Sequence, residues 1–261
     1  MKPNFEIIFV DIDWTLFDHS RKPSKFDKPS IRVLTKLQKK GIKVFLCTAR
    51  PYHSLDQIKL LKLFQPDGMI LANGGLIFVN NKKIYESEMN EDDFYLLCEL
   101  ANKHKVNVEG IRTFDCFLIN DNLECAKNLF ATYPENVPPI EDYHNKKVLG
   151  ATLFAPTELD EVFKKGLKNH FYYYRYHECG VDIASIPHIK GEGIKKVLKE
   201  LNIEKEKSIA IGDDEADISM FEVCGVGVAM GNANLKVQSK ANIVTDTVRH
   251  HGVKKALKRY F

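Results

Sequence analysis

No stretch of this chain approaches the roughly 20 consecutive apolar residues that cross a bilayer, which excludes a transmembrane pump. The residues ahead of the first apolar run, Phe5 to Val10, lack a basic segment, a long apolar segment and a small-residue cleavage site, so secretion is not expected and the cytoplasm is. The six cysteines, Cys47, Cys98, Cys116, Cys125, Cys179 and Cys224, form no C-x-x-C pair and have no His-rich companion. Neither zinc nor a disulfide framework is indicated, and they read as reduced, mostly buried thiols. Charge of one sign is not in excess: 38 Lys and Arg against 35 Asp and Glu leave +3, too balanced for a dedicated binder of nucleic acid or anionic membrane. Low-complexity tracts and solenoid repeats are missing. Gly191-Glu192-Gly193 lacks the third glycine and the preceding strand of a dinucleotide fingerprint.

What is present is an α/β rhythm. Ile7 to Ile12 is apolar on both faces, as in the central strand of a parallel sheet, and it ends in polar residues. Ile31, Leu34 and Leu37 recur at helical spacing, with Gly41 where a helix would end, and Lys43 to Thr48 reads as a second strand. Ser54 is the expected N-cap of a helix carrying Leu55, Ile58 and Leu61, before a third buried strand from Gly68 to Ala72. Leu76 to Val79 and Ile84 to Glu86 flank Asn80-Asn81 as a hairpin, which puts a domain boundary near residue 80. Strands at Asp115 to Asn120, Val148 to Phe154, Phe171 to His177 and Val181 to Ile186 then suggest an α+β module, with Tyr133 to Asn145 as its longest irregular connection. From Lys190 the α/β rhythm resumes, with strands at Ser208 to Gly212, Val226 to Met230 and Ile243 to Val244. The expected fold is α/β, a Rossmann-like parallel-sheet core formed by 1–81 and 187–261 with an inserted α+β cap at 82–186. Strand one is expected at the centre, its carboxyl end beneath the ligand cleft.

Asp11 and Asp13 end that strand, and Asp213 and Asp217 follow another buried strand one helical turn apart. Clustered carboxylates at strand ends repel unless a cation or a proton lies between them; a bound metal is the economical explanation, and an all-oxygen donor set favours Mg²⁺ over zinc or copper. Mg²⁺ takes a substrate phosphate oxygen among its ligands, so a phosphorylated substrate is implied. A carboxylate can be the nucleophile that forms an aspartyl-phosphate, here Asp11, while Asp13 protonates the leaving alcohol and then activates water. Thr48 offers a hydroxyl and neighbouring N–H groups to a phosphoryl oxygen, and Lys190 supplies positive charge at the start of a helix.

Asp11-Ile12-Asp13-Trp14-Thr15, Thr48, Lys190 and Gly212-Asp213 with Asp217, in this order, resemble the four motifs of the haloacid dehalogenase superfamily. With Asn73-Gly74-Gly75 ahead of the insertion, the chain is most similar to the Cof-type phosphatases with a C2-type cap, over its whole length. The resemblance implies Asp11 as nucleophile, Asp13 as acid/base, Thr48 and Lys190 as phosphate binders, and Asp11, Asp13 and Asp213 as Mg²⁺ ligands with Asp217 behind them. It also implies an inserted domain that sets substrate specificity. Trp14, Ala49 and Ala216 stand where the family has Gly, Gly and Asn. The expected activity is phosphate-monoester hydrolysis on small metabolites of sugar-phosphate or cofactor type. A phosphomutase and a noncatalytic phosphate-ligand sensor are the competing functions, and neither substrate identity nor oligomeric state is encoded legibly.

Arg50 is as well suited to an ion pair as to substrate. Tyr172 to His177 alternates as a half-buried strand rather than as pocket lining. The basic terminus Arg249 to Arg259 has Val253 and Leu257 at helical spacing, the pattern of a docked amphipathic helix rather than a nucleic-acid arm.

Overall fold

The computed structural model describes residues 4–132, 136–167, 171–184 and 189–261. The chain runs through β1 (Ile7–Val10), β2 (Phe17–Asp18), β3 (Lys25–Phe26), α1 (Lys28–Gln38), β4 (Lys43–Cys47), α2 (Tyr52–Gln57), α3 (Leu60–Leu63), β5 (Gly68–Leu71), β6 (Leu76–Val79) and β7 (Lys82–Glu86). There follow α4 (Glu91–Lys103), β8 (Asn107–Ile111), β9 (Cys116–Leu118), α5 (Glu124–Thr132), β10 (Gly150–Phe154), α6 (Asp160–Gly166), β11 (Tyr172–His177) and β12 (Gly180–Ala184). The last stretch holds α7 (Lys190–Leu201), β13 (Ser208–Gly212), α8 (Ile218–Val223), β14 (Val226–Ala229), α9 (Leu235–Gln238), β15 (Ile243–Val244) and α10 (Gly252–Tyr260). Two compact units result: 1–49 with 64–85 and 189–261, and 50–63 with 86–188. Residues 50–63, expected in the core, group with the insertion.

The first unit is built on an eight-stranded sheet of order β15-β14-β13-β1-β4-β5-β6-β7. β1 is central, parallel to β13 and to β4, with Val10 opposite both Ile211 and Leu46. All four of its residues are buried, which explains why the segment reads as an unbroken apolar run. Phe9, Phe45, Ile70, Ile194, Val197 and Phe221 pack in one cluster on this sheet. The Asn80-Asn81 hairpin turn is present, both residues having positive φ (50° and 63°). Its strands extend the core instead of leaving it: β6 pairs antiparallel with β5, so the first unit continues to Tyr85. The terminal basic segment is helical, α10, and its stripe of Val253, Ala256 and Leu257 is buried. Among the described residues no helix is long and apolar enough to cross a membrane.

The second unit has a five-stranded sheet, β11-β12-β10-β8-β9, in which every pairing is antiparallel. α4 begins at Asn90, whose side-chain oxygen accepts N–H bonds from Asp92 and Asp93, and three acidic residues occupy its first turn. Its buried stripe of Phe94, Leu97, Cys98 and Ala101 packs with Val108, Phe117, Leu153 and Val181 from one sheet face. Ser54 is not a cap: α2 begins two residues earlier, after Pro51, and the Ser54 hydroxyl is buried inside it, accepting from the Arg50 guanidinium at 2.6 Å. The expected single helix is interrupted at Lys59, which adopts φ 60°, so Leu55 and Leu61 lie on separate short helices. Tyr172, Tyr173 and Tyr174 are half-buried on β11, and the rings of Tyr172 and Tyr174 stack at 6.1 Å. The ends of two sequence expectations, Tyr133 to Glu135 and Ser185-Ile186, lie outside the described residues.

Candidate active site

The parallel strands of the first unit deliver their carboxyl ends to one edge, and the polar residues of three distant segments meet there. Asp11 directly follows β1, and its N–H bonds Ile211 O at 2.9 Å, which continues the β1–β13 ladder to the last residue before the site. Lys190 is the first residue of α7, and only 4% of it is exposed. Its ammonium donates to Asp11 Oδ1 at 2.8 Å and to Asp217 Oδ1 at 2.7 Å. The other oxygen of Asp217 accepts the N–H groups of Asp213 (2.8 Å) and Asp214 (3.0 Å), the first backbone turn after β13. Gly212 permits this turn: a Cβ there would lie 2.3 Å from Asp217 Oδ2. Asp213 in turn accepts from the Thr15 hydroxyl at 2.7 Å.

One carboxylate oxygen from each of Asp11, Asp213 and Asp217 lies within 4.8 Å of the other two. Burial pushes the Asp11 carboxyl well above its ordinary value; the Lys190 ammonium opposes this, and Asp217 and Asp13 add to the rise. Asp213 is raised for the same first reason, burial, reinforced by Asp11 and Asp217. Burial by itself would lower Lys190, yet Asp11 and Asp217 outweigh it and hold the ammonium charged. One cation among these three carboxylates leaves negative charge uncompensated in a largely buried site. A hard divalent cation fits that deficit, since the available donors are oxygens and Mg²⁺ accepts a few carboxylates together with waters or phosphate oxygens.

Asp13, expected beside Asp11, has its carboxylate paired elsewhere. Its Oδ1 lies 2.6 Å from His19 Nε2, and His19 Nδ1 lies 3.1 Å from Ser24 Oγ. The expectation that Asp13 contributes to metal ligation therefore rests on its backbone. Thr48 follows β4 at the same sheet edge and is buried; its N–H bonds Ile70 O at 2.9 Å and its carbonyl accepts from Asn73 at 3.0 Å. Asn73 has φ 53°, and its buried Oδ1 has no hydrogen-bond partner among the described residues. Gly74, at φ 104°, lets that turn approach the start of α7, where a Cβ would meet Ile189 O at 2.8 Å. Arg50 belongs to the second unit, bonded to Ser54.

Trp14 occupies a left-handed conformation (φ 56°), the region glycine enters without strain. Its carbonyl accepts from Asn232 Nδ2 at 3.0 Å, and the same side chain accepts the Val248 N–H at 3.0 Å. Ala216 offers its carbonyl to the Ser219 hydroxyl at 2.9 Å. Sequence reasoning missed His19, Asn232 and Ser219. His19 is six residues from Asp13 across a turn, where no periodicity operates; a histidine close after a carboxylate pair was the only signal available.

The family model for haloacid dehalogenase-like hydrolases matches residues 8–257. YkrA of Bacillus subtilis is 29% identical over 97% of this chain and 96% of its own length. The 5-amino-6-(5-phospho-D-ribitylamino)uracil phosphatase YcsE of the same organism is 26% identical over 98% of this chain and 96% of its own. Among solved structures, the subclass IIB sugar phosphatase BT4131 superposes with a TM-score of 0.83 at 26% identity, covering 98% of both chains. An α/β sheet with these carboxylates at its edge, and a match over nearly every residue, make the chain a member of the haloacid dehalogenase-like hydrolase family.

Proposed function

We propose that this chain is a Mg²⁺-dependent phosphatase that hydrolyses phosphate monoesters of small metabolites, of sugar-phosphate or cofactor type, through an aspartyl-phosphate on Asp11. The observation that carries the reading is the convergence of buried Asp11, Lys190 and Asp217 with half-buried Asp213 from three separate segments. The phosphatase names of YcsE and BT4131 support it. So does the difficulty of the reaction, one that enzymes accelerate by up to ~10²¹ and that demands preorganised charge.

In this reading Asp11 and Asp213 hold the cation, with Asp13 contributing through its backbone and Asp217 fixing Lys190 and the turn behind it. The bound Mg²⁺ supplies a Lewis acid for the phosphoryl oxygens. Thr48 and Lys190 bind the remaining phosphoryl oxygens. The Asp11 carboxylate oxygen attacks phosphorus while Asp13 gives a proton to the departing alkoxide, which leaves as an alcohol. Asp13 then takes a proton from water, whose oxygen attacks the same phosphorus; the P–O bond to Asp11 breaks and inorganic phosphate is released. His19 keeps the Asp13 carboxyl in one orientation. The second unit supplies substrate specificity, and the partner is a small phosphorylated metabolite in the cytoplasm rather than nucleic acid or membrane.

The test is turnover of an aryl phosphate with and without Mg²⁺, in the wild type and in Asp11→Asn. Hydrolysis that needs the cation and vanishes in the folded variant is expected, because an amide is a poor nucleophile. Substantial turnover by Asp11→Asn, or by wild type in excess chelator, would refute the reading.

A further inference from the structure

The second unit contains a cluster of different composition. His53 comes from α2, Glu109 from β8 and Cys116 from β9. The register sets Glu109 opposite Leu118 and Ile111 opposite Cys116, so Glu109 and Cys116 leave neighbouring strands on the same face of the sheet. Cys116 Sγ lies 3.0 Å from His53 Nε2, and Glu109 Oε1 lies 3.7 Å from that same nitrogen. All three ligand atoms fall within 4.8 Å of one another. The side chains of His53 and Glu109 are each 10% exposed, and Cys116 is buried.

We propose that His53, Glu109 and Cys116 bind a transition-metal ion of the zinc type, leaving a fourth position open to water or another oxygen ligand. Bond lengths of about 2.0–2.3 Å to tetrahedral zinc place neighbouring ligand atoms roughly 3.3–3.8 Å apart, so small side-chain rotations convert this triad into a first coordination sphere. The donor set selects the metal. Thiolate and imidazole suit Zn²⁺ or Co²⁺ and disfavour Mg²⁺, so this site and the carboxylate cluster would not compete for one ion. Thiolate and carboxylate together carry the two negative charges that match a divalent cation.

A thiol–imidazole nucleophile is the alternative use of these residues. In such a relay the carboxylate orients the base through its second ring nitrogen. Here Glu109 approaches Nε2, the atom that already faces sulfur, so the three side chains converge on a point instead of forming a chain. On binding, the Cys116 S–H bond breaks and an Sγ–metal bond forms. Its proton passes to solvent, with no change of oxidation state. The pattern is invisible to spacing rules because His53 and Cys116 are 63 positions apart.

The experiment adds Co²⁺ to the full chain after chelator treatment and follows the near-ultraviolet thiolate-to-cobalt charge-transfer band together with proton release. Wild type is expected to develop the band to a stoichiometric end point, and Zn²⁺ to bleach it by displacement. Cys116→Ser should lose the band. His53→Asn and Glu109→Gln should weaken binding by more than the roughly 10–100-fold that follows loss of an outer-shell partner. Asp213→Asn should keep the band, because the carboxylate cluster contributes only oxygen, so failure there and failure here are distinguishable. Circular dichroism checks each fold; should Cys116→Ser not fold, the two variants that retain sulfur decide. Absence of the band in wild type, its persistence in Cys116→Ser, or unchanged affinity in both His53→Asn and Glu109→Gln overturns the proposal and leaves a hydrogen-bonded cluster.

Discussion

At the scale of single residues, His19 gives the sharpest expectation. It holds the Asp13 carboxylate at 2.6 Å without belonging to the carboxylate cluster, so under the proposed acid/base role of Asp13 it is a positioning residue. Proton donation to a leaving group contributes about 10²–10⁴-fold, and a misoriented donor forfeits part of that. His19→Ala should therefore lower kcat by roughly tenfold or more on an alkyl phosphate while barely affecting an aryl phosphate, whose leaving group needs no proton. Equal losses on both substrates would show that His19 serves only the fold. Asp182, on β12 of the second unit, supplies a pH test. Burial pushes its carboxyl up to about 7, from an ordinary value of 3.8. The folded state thus holds a proton that the unfolded chain has released, and stability falls as pH rises between those two values. Asp182→Asn should match wild type near pH 3 in chemical denaturation. Near pH 8 it should exceed wild type by about 1–2 kcal/mol, less than the ~4 kcal/mol of complete burial because the half-buried side chain keeps some water.

At the scale of elements, α7 and the turn after β13 stand or fall together, since the Lys190 ammonium and Asp217 carboxylate hold them to each other and to Asp11. Lys190→Met leaves buried carboxylates uncompensated and should destabilise the metal-free protein by about 3–5 kcal/mol at neutral pH. Added Mg²⁺ should stabilise this variant in thermal unfolding more than it does wild type; an equal shift would mean the cation and the ammonium do not share a charge deficit. Gly212→Ala drives a Cβ against the Asp217 carboxylate and should lower both stability, by about 1–3 kcal/mol, and turnover. The carboxylates and Lys190 were legible because each sits at the end of an apolar strand or the start of an amphipathic helix, features that survive in a linear string. Their partners were not. Nothing local distinguishes a serine that caps a helix from Ser54, which lies inside one as an acceptor for Arg50. The Asn80-Asn81 turn was readable from its residue types, but which sheet its strands extend is set by β5, a partner that turn chemistry does not specify.

At the scale of the whole chain, α10 ties the terminus back to early sequence. Lys254 N–H donates to Ser30 Oγ at 3.0 Å, His251 Nδ1 lies 2.7 Å from Asp27 Oδ1, and Phe5 meets Tyr260 edge-on at 5.3 Å. Leu257→Ala should cost about 2–5 kcal/mol in denaturant unfolding, as for other fully buried leucines, and a change within 0.5 kcal/mol would mean the helix is dispensable.

The central place of β1 also orders events during synthesis. Its partner on one side, β4, is made early, but the other edge is completed only when Ser208–Gly212 has been translated. At about 5–20 residues per second, the nascent chain carries that bare apolar edge for roughly 6–25 s after β7 is finished. Ribosome-bound chains ending between β7 and β13 should therefore be protease-sensitive in 1–49 and should recruit holdase chaperones there, whereas the released full chain, in which β13, β14 and β15 have been added in turn, should lose both properties.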